Sequence, residues 1–400
     1  MRKGSLKSLK FCAAIFCVQI YPKGGIFMMR NNFSAFVIAF VLVILSGAFG
    51  TAWSAALSGS GTDTDPYKIA SLADWKTFVS MCNNGSTYGA GKYFELTQDI
   101  TIEGQWTSPN DNNQGQAFNE LVVGSFNGTF DGGGKTLTFN YTCTVRDGIA
   151  PFKDITNATI RNLKVAGTIS TNKNFAGGIA CDALGSNTIE NCTSSITINS
   201  SINGAGWHGG FVGWNKGTLM FKNCVFNGSL LGSNTTLCGG FVGRDIEGTI
   251  ASFTDCLFAP TEVTVKKKPT FCYNQYGTST FTRAYYTQGT GYANQGTRIY
   301  ATAPTNVFTA KITAPDNNQY WAEGSANITG LLLAYELSEA NSMTYSVEFD
   351  GQTLTSGTDY TASITKDGQA VTTITEAGTY TLIITGTGNY AGSFSRTFEA

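Results

Sequence analysis

The sequence predicts an all-β chain: a parallel β-helix with an N-terminal capping helix, followed by a small antiparallel sandwich. Three observations carry that prediction. One phrase recurs three times between residues 174 and 258. The apolar stretches inside each copy are short, β-branched or aromatic, and broken by Gly, Asn and Ser, which marks strands and turns rather than helix pairs. The chain also holds 47 glycines, while only 13% of its residues are charged, about half the usual share.

The recurrent phrase opens on a glycine pair and closes on a cysteine. Asn174-Phe-Ala-Gly-Gly-Ile-Ala180 leads to Ile189-Glu-Asn-Cys192; Trp207-His-Gly-Gly-Phe-Val-Gly213 leads to Phe221-Lys-Asn-Cys224; Leu237-Cys-Gly-Gly-Phe-Val-Gly243 leads to Phe253-Thr-Asp-Cys256. The cysteines stand 32 residues apart both times, and the glycine pairs begin at Gly177, Gly209 and Gly239. A fixed period between 20 and 50 residues marks a stacked repeat, and strands without helical crossovers make each repeat one coil of a parallel β-helix. Successive coils then lie roughly 4.8 Å apart, with equivalent side chains stacked. Cys192, Cys224 and Cys256 are expected to form an inward ladder of small core residues. Asn191, Asn223 and Asp255, just before them, fall at a turn where Asn and Asp tolerate the left-handed conformation. The glycine pairs suit tight corners. Ile160-Arg-Asn-Leu163 upstream and Thr282-Arg-Ala284 downstream continue the phrase, with Leu163 and Ala284 in the cysteine slot, so about five coils are visible.

Gly-Gly-Phe-Val-Gly followed by Asn-Cys or Asp-Cys resembles the GLUG-type right-handed parallel β-helix repeats of bacterial surface proteins, over roughly residues 57–300. The resemblance implies architecture and says almost nothing about function.

In chain order, residues 1–27 read as an N-terminal extension whose start codon is mis-assigned, with Met28 or Met29 as the expected start. Residues 28–56 then read as a signal peptide: Arg30 supplies the positive region, Phe33–Leu45 the apolar region, and Ser54-Ala-Ala56 the cleavage site. This implies a protein that is secreted or displayed on a bacterial cell surface. The β-helix with its cap is expected over 57–297. Within the cap, Ser71 begins a helix with Asp74 as its capping partner, and Leu72, Trp75, Phe78, Val79 and Cys82 form its apolar face. Residues 298–325, with Pro304 and Pro315 and no clear periodicity, read as a connector. Over 326–400, alternating strands at Ser342–Phe349, Asp359–Ile364, Thr379–Ile384 and Ser393–Phe398 predict an antiparallel sandwich. Gly357-Thr-Asp-Tyr360 and Gly386-Thr-Gly-Asn-Tyr390 there resemble the immunoglobulin-like modules of bacterial surface proteins.

Charge and chemistry narrow the function. Residues 1–56 hold six basic and no acidic residues, which leaves 20 basic against 27 acidic in the rest. No basic stripe for nucleic acid is present. The acids of the repeat region, Asp154, Asp182, Glu190, Asp245, Glu247 and Asp255, read as out of phase, so neither a carboxylate row nor the facing pair of a glycosidase is expected. His208, the lone histidine, reads as structural, and Trp214 as packed along the solenoid wall. Cys-x-x-Cys and clustered histidines are missing from the sequence, so no metal site is expected. The Gly-x-Gly patterns precede strands, which argues against a dinucleotide cofactor. No catalytic, cofactor-binding or metal-binding residue is therefore predicted. Polar loops at Ser170–Asn174, Asn199–His208 and Gly232–Leu237 precede each glycine pair in phase, and loops on one face of a solenoid often bind its ligand. The expected function is non-catalytic adhesion, with a glycan or a host surface protein as partner and the membrane met only through the signal peptide. A polysaccharide lyase or glycoside hydrolase, or a rigid stalk, are the alternatives.

Overall fold

The computed structural model describes residues 10–13, 16–19, 56–84, 89–300, 302, 308–313, 318–323, 327–329, 345–349 and 351–400. The expected signal peptide falls outside the described residues apart from Ala56. Within the expected extension, Lys10–Ala13 and Phe16–Gln19 pair antiparallel. Among the described residues no helix is long and apolar enough to cross a membrane.

Residues 67–286 wind into a parallel β-solenoid of about seven turns. One coil shows the pattern. Ala180–Glu190 forms a long wall strand, Asn191 turns the chain, Thr193–Ser194 and Thr197–Ser200 form the next walls, and Gly204–Ala205 adds a short fourth run. Every coil-to-coil pairing is parallel: Ala180–Glu190 lies in register against Val212–Lys222, which continues onto Val242–Asp245 and Ile250–Thr254.

The cysteine ladder lies where the repeat placed it. Backbone bonds from Thr193 N to Leu163 O, Val225 N to Cys192 O, Leu257 N to Cys224 O and Tyr285 N to Cys256 O stack Leu163, Cys192, Cys224, Cys256 and Ala284. All five are buried, and the three cysteines are free. The preceding residues hold left-handed backbone, with φ of 53° at Asn162 and Asn191, 50° at Asn223 and 56° at Asp255. Their side chains bond along the stack, Asn191 Nδ2 to Asn162 Oδ1 at 3.3 Å and Asn223 Nδ2 to Asn191 Oδ1 at 2.9 Å. Inside, Phe221, Phe253 and Phe281 stack coil upon coil, with centroids 5.2 and 5.3 Å apart.

The solenoid begins under the expected helix, α1 (Leu72–Asn83). Ser71 Oγ accepts the Asp74 N–H, and Asp74 Oδ2 accepts from Ala70 N, closing the cap. Trp75, Phe78, Val79 and Cys82 are buried, whereas Leu72, in the first turn, stays 41% exposed. Phe78 meets Phe94, Phe126, Phe130 and Phe152 within about 6 Å, so the helix covers the open end of the first coils. A second helix, α2 (Asn112–Leu121), packs beside it. Its sequence, rich in Asn, Gln and Gly, has poor intrinsic helix propensity, and Asp111 capping Asn113 N and Gln114 N starts it.

The polar loops are in phase, as expected, but they pair with one another. Gly204–Ala205 and Thr235–Thr236 form a parallel ladder that extends to Lys266, and Thr171, Ser200 and Thr235 are buried beneath it. What the sequence suggests as loop tips is a short extra wall.

The stretch 298–325, read as a connector, carries strands. Thr297–Tyr300 continues the solenoid sheet in parallel from Tyr285–Tyr286, then pairs antiparallel with Gln319–Glu323. That strand pairs with Thr309–Thr313, which pairs with Tyr390–Ala391. The strands are short and prolines interrupt the sequence, which leaves no period to read. Farther on, Gln369–Val371, Tyr360–Lys366, Thr379–Gly386 and Ser393–Glu399 make a four-stranded antiparallel sheet. Phe308, Val347, Leu354, Tyr380, Leu382, Ile384 and Phe398 form a common core between it and the strands at 308–313 and 346–353, as a sandwich requires.

Candidate ligand-binding face

The outer face of the long-strand wall carries a column of polar and aromatic side chains. Strand alternation sends Ala183, Asn187 and Ile189 inward and leaves Asp182 and Leu184 half-exposed. Register turns one outward slot into a column, Ser125, Asp154, Asp182, Trp214, Arg244. Beside it runs a corner column, Phe175, Trp207 and Leu237, with φ of 64°, 49° and 58°. Left-handed backbone at such bulky residues is strained, at about 1–2 kcal/mol each. Neighbouring coils hold it in place, through Phe175 N to Gly206 O and Leu237 N to Lys266 O. The last glycine of Gly-Gly-Phe-Val-Gly makes room for the corner: a Cβ on Gly213 would lie 2.4 Å from Phe175 O, and one on Gly243 2.1 Å from Trp207 O.

The two columns meet in a layered stack. Phe175 lies parallel to Trp207 at 5.3 Å and to Trp214 at 4.7 Å. On the next coil the Arg244 guanidinium lies 4.7 Å from each indole, and Lys216 Nζ sits 4.0 Å from the Trp214 ring. Three donors in the stack, Trp207 Nε1, Trp214 Nε1 and Arg244 Nε, are shielded and have no hydrogen-bond partner. Between the pairs Val242–Cys272 and Asp245–Asn274 the register shifts, so Gly243 and Arg244 together face Tyr273. That is a β-bulge, which locally re-aims a side chain. Tyr273 stacks on Tyr292 at 6.3 Å, and burial together with Tyr292 pushes its phenol pKa up. Tyr292 is 52% exposed and Tyr276 70%.

The acids lie otherwise than the sequence suggests. Asp154 and Asp182 are direct register partners, so two carboxylates do share one slot of successive coils; their spacing of 28 rather than 32 residues hides the phase. Each has its own lysine, Asp154 with Lys153 at 2.8 Å and Asp182 with Lys216 at 2.6 Å. Burial raises the Asp182 pKa, Lys216 opposes the rise and Asp154 adds to it. Asp245 is buried on the opposite side of the wall, accepting from Asn215 Nδ2 at 2.9 Å and from Thr249 Oγ1, and burial raises its pKa. Glu247 is exposed beyond that strand, and Asp255 pairs with Arg283. His208 is fully buried: Nδ1 accepts the Ala176 N–H at 3.1 Å, Nε2 meets Ser200 Oγ at 3.0 Å, and burial pushes its pKa down to about 3. Trp214 packs along the wall. No group of three or more His, Cys, Asp or Glu side chains placed to hold a metal occurs among the described residues. A separate cleft of about 260 Å³ near the first coils is lined by Asp63, Lys68, Glu95, Asp131 and Arg161, whose charges are paired, Lys68 with Glu95 and Arg161 with Asp131.

Arg244, Tyr273 and Phe175 escape the sequence reading as site residues, and Trp207 falls within the candidate loop Asn199–His208 without being singled out. Aligning the three phrases by their glycine pairs would have found most of them, because Asp182, Trp214 and Arg244 all stand five residues after the first glycine, and Phe175, Trp207 and Leu237 two before it.

No family model matches the chain. Among curated proteins it is similar to halomucin of Haloquadratum walsbyi, 28% identical over 190 residues that cover 38% of this chain; the match spans 2% of halomucin's length. Among solved structures, one from Bacteroides ovatus described as an immunoglobulin A1 protease aligns at 16% identity with a TM-score of 0.36, over 57% of this chain and 77% of that one. Likeness at this level assigns neither a family nor an activity.

Proposed function

We propose that the chain is a non-catalytic binding protein, secreted or displayed on a bacterial surface, that adheres to glycans or glycan-bearing host surfaces through the outer face of its solenoid. The observation that carries this reading is the run of aromatics along consecutive coils, from Phe175, Trp207 and Trp214 to Tyr273, Tyr292 and Tyr276. Amphipathic rings of this kind give large contact area with little conformational entropy to lose. The partial likeness to halomucin and the resemblance to GLUG-type repeats support a location outside the cell. In the same reading residues 28–56 are a signal peptide, which N-terminal sequencing of secreted protein tests, and residues 326–400 an immunoglobulin-like spacer.

The test is a glycan array, with a cell-binding assay beside it, comparing the native chain and Tyr276→Ala/Tyr292→Ala. Both tyrosines are exposed, so the variant is expected to melt as the native chain does while losing most binding. A native chain that binds no glycan and no cell would put the rigid-stalk reading in front.

One observation favours a second reading. Asp154 and Asp182 are register partners on the outer wall, so two carboxyls stand within reach of one substrate. Both project from the same wall and each is tied to a lysine, whereas paired acid and base groups flank a scissile bond; that supports the binding reading. Release of reducing ends or unsaturated products from polysaccharide, abolished in Asp182→Asn, would replace it with the enzyme.

A further inference from the structure

We propose that Arg244 is the anchor for a carboxylate carried by the saccharide, so that the face selects acidic sugars over neutral ones; this rests on the binding role proposed above. The guanidinium is held flat against Trp207 and Trp214, so its orientation is fixed before any ligand arrives. It forms no ion pair among the described residues, whereas Lys216 and Lys153 each hold an aspartate. Its Nε is shielded without an acceptor, so the two terminal Nη groups are the donors left for a ligand. The register shift at Gly243-Arg244 sets both residues opposite Tyr273 on the next strand.

The chemistry of the slot follows. A planar guanidinium presents paired N–H donors that match a carboxylate fork to fork. Ring stacking keeps it from collapsing onto a neighbour and lowers the entropy lost on binding. On the adjacent strand Tyr273, opposite Gly243-Arg244 and stacked on Tyr292, offers aromatic surface for the apolar side of a sugar ring, and Tyr276 is exposed three residues on. An acidic peptide would satisfy the cation but would leave the tyrosine pair without a matching flat partner. A uronic or sialic acid residue satisfies both.

The experiment uses the mature chain and two probe pairs by calorimetry: 3′-sialyllactose against lactose, and a galacturonate tetramer against its carboxyl-reduced form. At least one acidic probe is expected to bind about 10- to 100-fold tighter than its neutral partner, the effect of one charge-assisted contact. Arg244→Gln should erase that preference, Arg244→Lys should keep part of it, and Tyr292→Ala should weaken acidic and neutral probes alike. Melting curves confirm that each variant is folded. Equal binding of acidic and neutral probes, or a preference that survives Arg244→Gln, overturns the anchor and leaves the saccharide-binding role standing. Binding of a glutamate-rich peptide with no response to any saccharide overturns both.

Discussion

Each cysteine of the ladder donates its S–H to the carbonyl two residues before it: Cys192 to Glu190 at 3.2 Å, Cys224 to Lys222 at 3.3 Å and Cys256 to Thr254 at 3.3 Å. The left-handed residue between donor and acceptor brings them together, so the Asn-Cys dipeptide acts as one device. Cys224→Ala removes a sulfur's packing and a weak bond, about 1 kcal/mol, or a few degrees in melting temperature. Cys224→Asp places a charge in the same dry slot without a partner and should cost about 4 kcal/mol or more. Thermal melts that ranked the two variants the other way would refute the inward ladder. His208 gives a second test at this scale. Its folded pKa of about 3 lies below the unfolded value of about 6.5, so its contribution is complete above about pH 6.5 and shrinks as pH falls, by about 2 kcal/mol at pH 5. It is the chain's single histidine, and Asp182 and Asp245, whose pKa burial raises, act in the opposite direction by favouring the folded state as pH falls. His208→Gln should flatten the fall in denaturation midpoint between pH 6.5 and 5, and an unchanged slope would rule His208 out as its source. The device is legible in the sequence because it repeats at a fixed period as Asn-Cys, Asn-Cys and Asp-Cys. Arg244 is harder to read, because its slot holds Asp182, Trp214 and Arg244 in turn, so only its constant place five residues after the first glycine marks it as one column.

Elements with a local signal are readable, whether that signal is the repeat period, the cap and apolar face of α1 or the alternation of the C-terminal strands; elements held only by distant packing are not. Wall strands and αL corners follow from the period. Helix α2 does not, since tertiary packing of Phe118 and Leu121 holds a segment of weak propensity. The polar loops fall between the two cases: their phase was legible, their mutual pairing was hidden by Gly and Asn. That pairing changes an expectation. Exposed loop tips contribute little to stability, and on the sequence alone deletion of residues 201–206 should leave the melting temperature nearly unchanged. Yet this segment supplies Gly204 N to Asn234 O, Gly206 N to Thr236 O and Phe175 N to Gly206 O, and Thr235 Oγ1 bonds Ile202 O. Losing four such bonds costs about 2–6 kcal/mol. Deletion of 201–206 is therefore expected to lower the midpoint of chemical denaturation clearly. A midpoint equal to that of the intact chain would restore the view of 201–206 as a dispensable loop.

For the molecule as a whole, the question is how the solenoid and the C-terminal sandwich communicate. Two outward-facing wall residues, Val225 and Leu257, are buried at 0% and 2% exposure, and what covers them is Ile299 and Ala322. The segment after the last coil thus folds back over the wall as well as extending its sheet through Thr297–Tyr300. A solenoid is stabilised by nearest-neighbour contacts, and its terminal coils depend on what caps them. The segment at 297–323 joins the last coil to strand Tyr390–Ala391 of the sandwich, so unfolding of either part should be felt by the other. Ile299→Asp tests this. It puts a charge into the contact with Val225 and Leu257 while leaving the solenoid core, built from Phe221, Phe253 and the cysteine ladder, and the sandwich core around Tyr380 and Ile384 untouched. In calorimetry the native chain is expected to show overlapping, coupled transitions. The variant should show two separate ones, with the sandwich melting first and proteolysis cutting near residue 300 before any loss of solenoid signal. If Ile299→Asp lowered a single transition uniformly, the two parts would share one cooperative core, and the clasp at Ile299 would not be the joint between them.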